Sequence, residues 1–149
     1  MSFIEYLYNL ENGSVCVRPL YGNKIKNRSQ FPDTLAMELN NILQTYGGID
    51  NKFIVLVDLT KINMNSEHAT NNIFFYKKLK DRLERDFPDK LDKIIIYDYT
   101  EKTNFLLNII KLILDKDLRK KIIVDRKYKE FVNDKIVNKS NLNNNERHY

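Results

Sequence analysis

Between Phe87 and Val124 the chain reads FPDKLDKIIIYDYT and then, after a short polar step, FLLNIIKLILDKDLRKKIIV. Pro88 stops a helix, because proline lacks an N–H and clashes with the turn before it. Ile94–Tyr97 follows as a continuous apolar run, the mark of a parallel strand buried on both faces. Thr103–Leu114 has helical spacing but is nearly all apolar. At 3.6 residues per turn, Asn104, Asn108, Lys111 and Asp115 form one narrow polar stripe, and apolar side chains fill the rest of the surface. An ordinary surface helix carries the inverse pattern. The segment is also too short to span a hydrocarbon core about 30 Å thick. It must therefore be covered, either by a second protein layer or by an apolar ligand. Each buried methylene contributes about 0.8 kcal/mol, so two acyl chains need shelter worth on the order of 20 kcal/mol. Only an enclosed apolar pocket supplies that.

The rest of the chain predicts the frame around this helix. Phe3–Asn9 and Ser14–Leu20 flank Asn12-Gly13, a hairpin signal, and Pro19 marks a strand end or an edge. Tyr21–Gln30 is a polar, basic loop. A helix starts near Pro32, continues through Leu35, Leu39, Ile42, Leu43 and Tyr46, and stops at Gly47-Gly48. Phe53–Leu59 is a second buried strand. Ser66–Asp86 is an amphipathic helix with Ile73, Tyr76, Leu79, Leu83 and Phe87 on its inner face. Ile122–Val124 is a last core strand and Tyr128–Ile136 a short helix. Alternating buried strands and helices predict an α/β fold, a mostly parallel, mixed sheet with helices packed on it. Residues 1–137 form one domain, and the Asn-rich residues 138–149 read as a disordered tail.

The net charge of +5 favours anionic partners: an acidic membrane surface, a phosphorylated small molecule or nucleic acid. The cluster around the last strand, with Lys116, Arg119 and Lys120 at its head, reads first as a solvated surface and next as a membrane-docking patch, at about 1 kcal/mol per basic residue near an anionic leaflet. Nucleic acid ranks below the membrane, because no strand pairs exposed aromatic and basic residues as RNA-binding sheets do. A single cysteine, Cys16, excludes an internal disulfide and reads as a buried structural thiol. The N-terminus lacks the basic start and apolar run of a signal peptide. No zinc-ligand spacing, P-loop, Gly-rich dinucleotide turn or nucleophile elbow occurs, with His68 and His148 far apart. Asp58, Asp98 and Asp125 each end an apolar strand, where α/β proteins place their chemistry. They could hold Mg²⁺ for phosphoryl transfer, or simply terminate strands and cap turns at water.

The order of these segments resembles the Sec14-like (CRAL-TRIO) lipid-binding domain. The resemblance is carried by Asn9–Gly13 leading into Val15–Val17, by Val55–Leu59 as a V-x-V-D-like strand, and by Phe87-Pro88-Asp89-Lys90 where the family has Y-P-E-R. The apolar helix ending Ile113-Leu114-Asp115, with Lys121-Ile122 after it, corresponds to the family's gating helix and basic turn. The family's threonine three residues before that lysine is Leu118 here. The resemblance implies a cytoplasmic, transiently membrane-associated, non-enzymatic protein that holds one phospholipid, with phosphatidylinositol or a phosphoinositide among the candidates, and needs no cofactor or metal. It places Asp89 and Lys121 at the lipid headgroup. Tyr97, Phe105, Leu106, Ile109, Ile110 and Ile113 would line the pocket and gate. Two other readings remain open: an interaction module of the same fold that binds a protein such as a small GTPase, and the Mg²⁺-dependent phosphate enzyme.

Overall fold

The computed structural model describes residues 2–20, 30–61 and 73–146. Strands β1 (Ile4–Asn9) and β2 (Val15–Pro19) form the antiparallel hairpin. Gly13 takes φ 90°, a left-handed conformation that glycine adopts without steric cost, and Asn12 Oδ1 accepts the Ser14 N–H at 3.0 Å. Helix α1 (Phe31–Tyr46) leads to β3 (Phe53–Asp58), α2 (Ile73–Asp86) to β4 (Leu91–Asp98), and α3 (Asn104–Ile113) with the single turn α4 (Lys116–Arg119) to β5 (Ile122–Val124). Helix α5 (Tyr128–Glu146) closes the chain. The Ser66–Asp86 helix falls partly outside the described residues, as do His68, His148 and most of the Tyr21–Gln30 loop.

The sheet has five strands in the order β1-β2-β3-β4-β5, antiparallel at β1–β2 and parallel thereafter. The α/β reading with a mixed, mostly parallel sheet is therefore the observed fold. Sequential order with right-handed crossovers puts α1, α2 and α3 on one face of the sheet. Accordingly α1 packs on α2 and α2 on α3. On this face Val15, Val17 and Phe53 are buried against Leu39 and Leu43 of α1, with Leu83 and Phe87 beside them. The other face carries Cys16, Ile54, Leu56, Ile95 and Tyr97, closed by Val132 of α5 with Ile136 beside it.

The two faces differ in how completely protein covers them. On the α5 face every central side chain is buried. On the α1–α3 face, cover thins from β2 to β5. Val15 and Val17 are buried; in the rows Val55–Ile94–Ile122 and Val57–Ile96–Val124, only Ile96 is fully covered. Val124, at the far end, is 36% exposed.

Local chemistry explains the boundaries. Gly47 caps α1 in an extended conformation, not the left-handed one expected of a stop glycine. It is glycine for a steric reason: a Cβ there would lie 2.0 Å from Asn51 Oδ1 and 2.3 Å from the Leu43 carbonyl oxygen. Pro19 is the last residue of β2, where the lost N–H costs no ladder bond. The tail differs from the expectation. α5 does not end near Ile136 but continues to Glu146, through residues read as disordered. Low apolar content means little burial, yet each added helical residue still gains a hydrogen bond. Lys139 also ties the helix down, bonding the Tyr6 carbonyl and lying 3.9 Å from Glu5 Oε2.

Candidate lipid-binding site

Helix α3 is the crossover between β4 and β5. Thr100 and Thr103 form a reciprocal capping box around the turn that leads into it. Its last turn closes with the Leu114 N–H on the Ile110 carbonyl at 3.2 Å. Asn104, Asn108 and Lys111 are exposed, as the narrow polar stripe predicts, whereas Leu107, Ile110 and Leu114 are only half-buried. Leu112, beside Asn108 on that stripe, is 73% exposed. The side chains of Phe105, Leu106, Ile109 and Ile113 lie outside the described ones; their backbones belong to α3. The apolar helix is therefore not fully covered by protein, and it runs along the face where the sheet's own cover thins.

Tyr97 does not join this group. Its described neighbours are Cys16, Ile54, Leu56, Ile95 and Val132, and it is 3% exposed on the α5 face. The sheet thus separates it from the face that α3 covers. Burial raises its phenol pKa, Asp58 raises it further, and a hydrogen bond to Arg18 works against both. Its side is set by a break in register: Asp92 is interposed where β4 shifts against β3, so alternation counted from Leu91 fails.

Asp89 and Lys121 are brought to the same edge, the amino ends of β4 and β5. Asp89 is exposed in the turn after α2, with φ 57°. Lys121 Nζ donates to the Leu91 carbonyl at 2.8 Å, and its own carbonyl accepts the Ile94 N–H at 3.0 Å. Lys90 Nζ likewise rests on the Asp50 carbonyl at 2.8 Å. A carbonyl orients an ammonium without cancelling its charge, and the same edge also carries the carboxylates of Asp50, Asp89 and Asp92. Lys116, Arg119 and Lys120 extend it along α4, all exposed and without an ion pair among the described residues. Leu118 supplies only its backbone: its N–H bonds Asp115 Oδ1 at 2.9 Å.

The opposite edge is different. Asp58 and Asp98 are register partners, and the Asp125 N–H reaches the Ile96 carbonyl at 3.1 Å, so three carboxylates do gather at the strands' carboxyl ends. Each serves a turn. Asp58 Oδ1 accepts from the Thr60 N–H at 2.9 Å, Asp98 Oδ1 from the Tyr99 N–H at 3.0 Å, and Asp125 Oδ1 from the Lys127 N–H at 2.9 Å. Asp98 also pairs with Lys129 at 3.1 Å. Among the described residues no cluster is arranged to hold a metal ion. Cys16 is buried, and that burial pushes its thiol up to about 11 while a hydrogen bond from Tyr8 holds it down slightly. It is the inert thiol expected from its strand.

Sequence reasoning missed Leu112 and Ile49 as exposed apolar residues. Leu112 borders the polar stripe on one side as Leu107 does on the other; Ile49, in a short loop between Gly48 and Asp50, carries no such signal.

A five-stranded sheet, parallel beyond its first hairpin, with crossover helices packed on it defines an α/β domain. The family model for the CRAL/TRIO domain matches residues 23–143, and the chain belongs to that family. It is a family of lipid-binding and lipid-transfer domains, generally without enzymatic activity. No curated protein matches the chain. Among the described residues no helix is long and apolar enough to cross a membrane.

Proposed function

We propose that the protein holds one phospholipid between α3 and the β4–β5 half of the sheet and exchanges it at membranes. The observation that carries this reading is the thinning cover over Val55, Val57, Ile94, Ile122 and Val124, with Leu107, Ile110 and Leu114 at the crossover helix half-buried. Acyl chains placed there would complete the burial of both surfaces, with Phe105, Leu106, Ile109, Ile110 and Ile113 as the gate. Asp89 and Lys121 would meet the headgroup, with phosphatidylinositol or a phosphoinositide among the candidate lipids. Lys116, Arg119 and Lys120 would dock the protein on an anionic membrane from the cytoplasm while α3 moves aside.

Native mass spectrometry of protein purified from cells should show one copurifying phospholipid. A clean lipid-free mass, with no transfer between liposomes, would overturn the reading. A second reading, an interaction module of the same fold without lipid, is favoured by Phe131 and Val137, both exposed on α5. Ile110→Asp separates the two: it abolishes lipid uptake under the first reading and only destabilises the fold under the second.

A further inference from the structure

The two most exposed large apolar side chains among the described residues, Ile49 and Leu112, sit at the same end of the sheet. Ile49 lies in the loop entering β3, and Leu112 lies near the end of α3, just before the turn entering β5. Two strand spacings separate these entries, about 10 Å. A lone exposed apolar residue means little. Two at one edge, with the cations of α4 following Leu112, are a different matter.

The Ile49 loop is also held in place. Gly48 packs on the hairpin turn so closely that a Cβ there would lie 3.3 Å from the Gly13 carbonyl oxygen. The Val15 N–H bonds the Lys52 carbonyl at 3.0 Å, Asn9 Nδ2 bonds the Tyr46 carbonyl at 2.8 Å, and Lys90 grips the Asp50 carbonyl. The fully exposed Ile49 therefore stands on a fixed platform, and Leu10, 36% exposed, belongs to the hairpin turn whose Gly13 meets Gly48. Asp50 follows it and Glu11 lies in the hairpin turn that Gly48 packs on, so charge attraction at this point is weak and insertion is the contact it can make.

We propose that Ile49, with Leu10, is a second membrane-inserting point, so that the amino end of the sheet lies against an anionic bilayer and contacts it at both the Ile49 platform and the α3–α4 end. This rests on the membrane-docking part of the proposed function and adds an orientation: the edge carrying Asp89 and Lys121 faces the lipid surface between the two points.

The sequence contains no tryptophan, so single substitutions give clean reporters. Ile49→Trp, Leu112→Trp and the control Met37→Trp, on the exposed side of α1, are mixed with phosphatidylcholine vesicles containing phosphatidylserine. The expected result is a blue-shifted emission and quenching by brominated lipid for the first two and not for the third. Ile49→Asp should lower vesicle partitioning roughly tenfold or more, with an unchanged thermal midpoint. A shift for Leu112→Trp without one for Ile49→Trp overturns the second point and leaves docking through α3–α4 intact. Failure of the unaltered protein to cosediment with the vesicles overturns both.

Discussion

The two faces of one sheet show two ways of finishing an apolar surface. On the α5 face, Val132 and its neighbours close Cys16, Ile54, Leu56, Ile95 and Tyr97 with protein alone. On the opposite face, α1 seals β2, but the rows ending at Ile122 and Val124 stay partly open, and Leu107, Ile110 and Leu114 at α3 are only half-buried. The same residue types build both surfaces. What differs is that α1 and α2 carry leucine and phenylalanine into a shared cluster, whereas the described side chains of α3 join no cluster. A face closed by its own chain contributes stability; a face left open contributes a place for something else. Substitutions on the two faces should therefore be read by different measurements.

The largest effect belongs to the closed face. Leu56→Ala removes a fully buried side chain from the middle of β3, a change that costs about 2–5 kcal/mol when the site cannot collapse. Denaturant titration measures it. Its neighbour Val57, pointing to the open face, should lose about 1 kcal/mol or less on the same change. Equal losses at both positions would erase the distinction between the faces.

Next comes the basic edge below the open face. Replacing Lys116, Arg119 and Lys120 together by Glu removes about 3 kcal/mol of attraction to an anionic leaflet, close to a hundredfold in partitioning, before any repulsion is added. All three are exposed, so circular dichroism and thermal midpoint should not move. Vesicle cosedimentation at low and high salt checks it, since screening should shrink the difference. Charge reversal at Lys127, on the opposite edge, is the matched control.

A smaller change tests the floor itself. Val124→Asp places a carboxylate at the exposed end of the open row. Stability without lipid should change by about 1 kcal/mol or less. Copurifying lipid, read by mass spectrometry, should fall several-fold, because a charge beside an acyl chain is costly unless it is paired. Retention of full lipid occupancy would move the ligand away from β5.

How much of this could be read from the sequence follows from what each signal reports. Continuous apolar runs report burial on both faces, and Phe53–Asp58 and Leu91–Asp98 are the strands that Phe53–Leu59 and Ile94–Tyr97 announced. Proline and glycine report helix ends, and α1 and α2 stop where Gly47 and Phe87-Pro88 require. That Asp89 and Lys121 sit at one edge of the sheet follows from motif order, because each lies just before a parallel strand. Which face a strand residue occupies was not, since a bulge has no residue signature. Asp92 interrupts the alternation of β4, and Tyr97 therefore lies on the closed face, away from the helix it was expected to meet. Completeness of cover was not legible either. It depends on where α3 docks, and an apolar helix reads the same whether a protein layer or a ligand completes it.

The closed face makes a last prediction whose effect is nil at neutral pH. Burial raises Cys16 to about 11 and raises the phenols of Tyr8 and Tyr97 above their ordinary range. In each case the neutral form is favoured in the folded state, so the folded chain binds more protons than the unfolded one once pH passes the ordinary thiol and phenol values. Stability is then fully present below that range and is lost as pH rises through about 11, where the buried thiol itself ionises. Cys16→Ala has a fixed cost from its cavity but no thiolate to bury. The stability gap between the two proteins should hence be constant up to about pH 8 and narrow above it. Denaturant midpoints taken in alkaline steps measure that gap. A gap that stays constant through pH 11 would mean that the Cys16 environment opens to water before the thiol ionises. The α5 face would then be no more tightly closed than the face beneath α3.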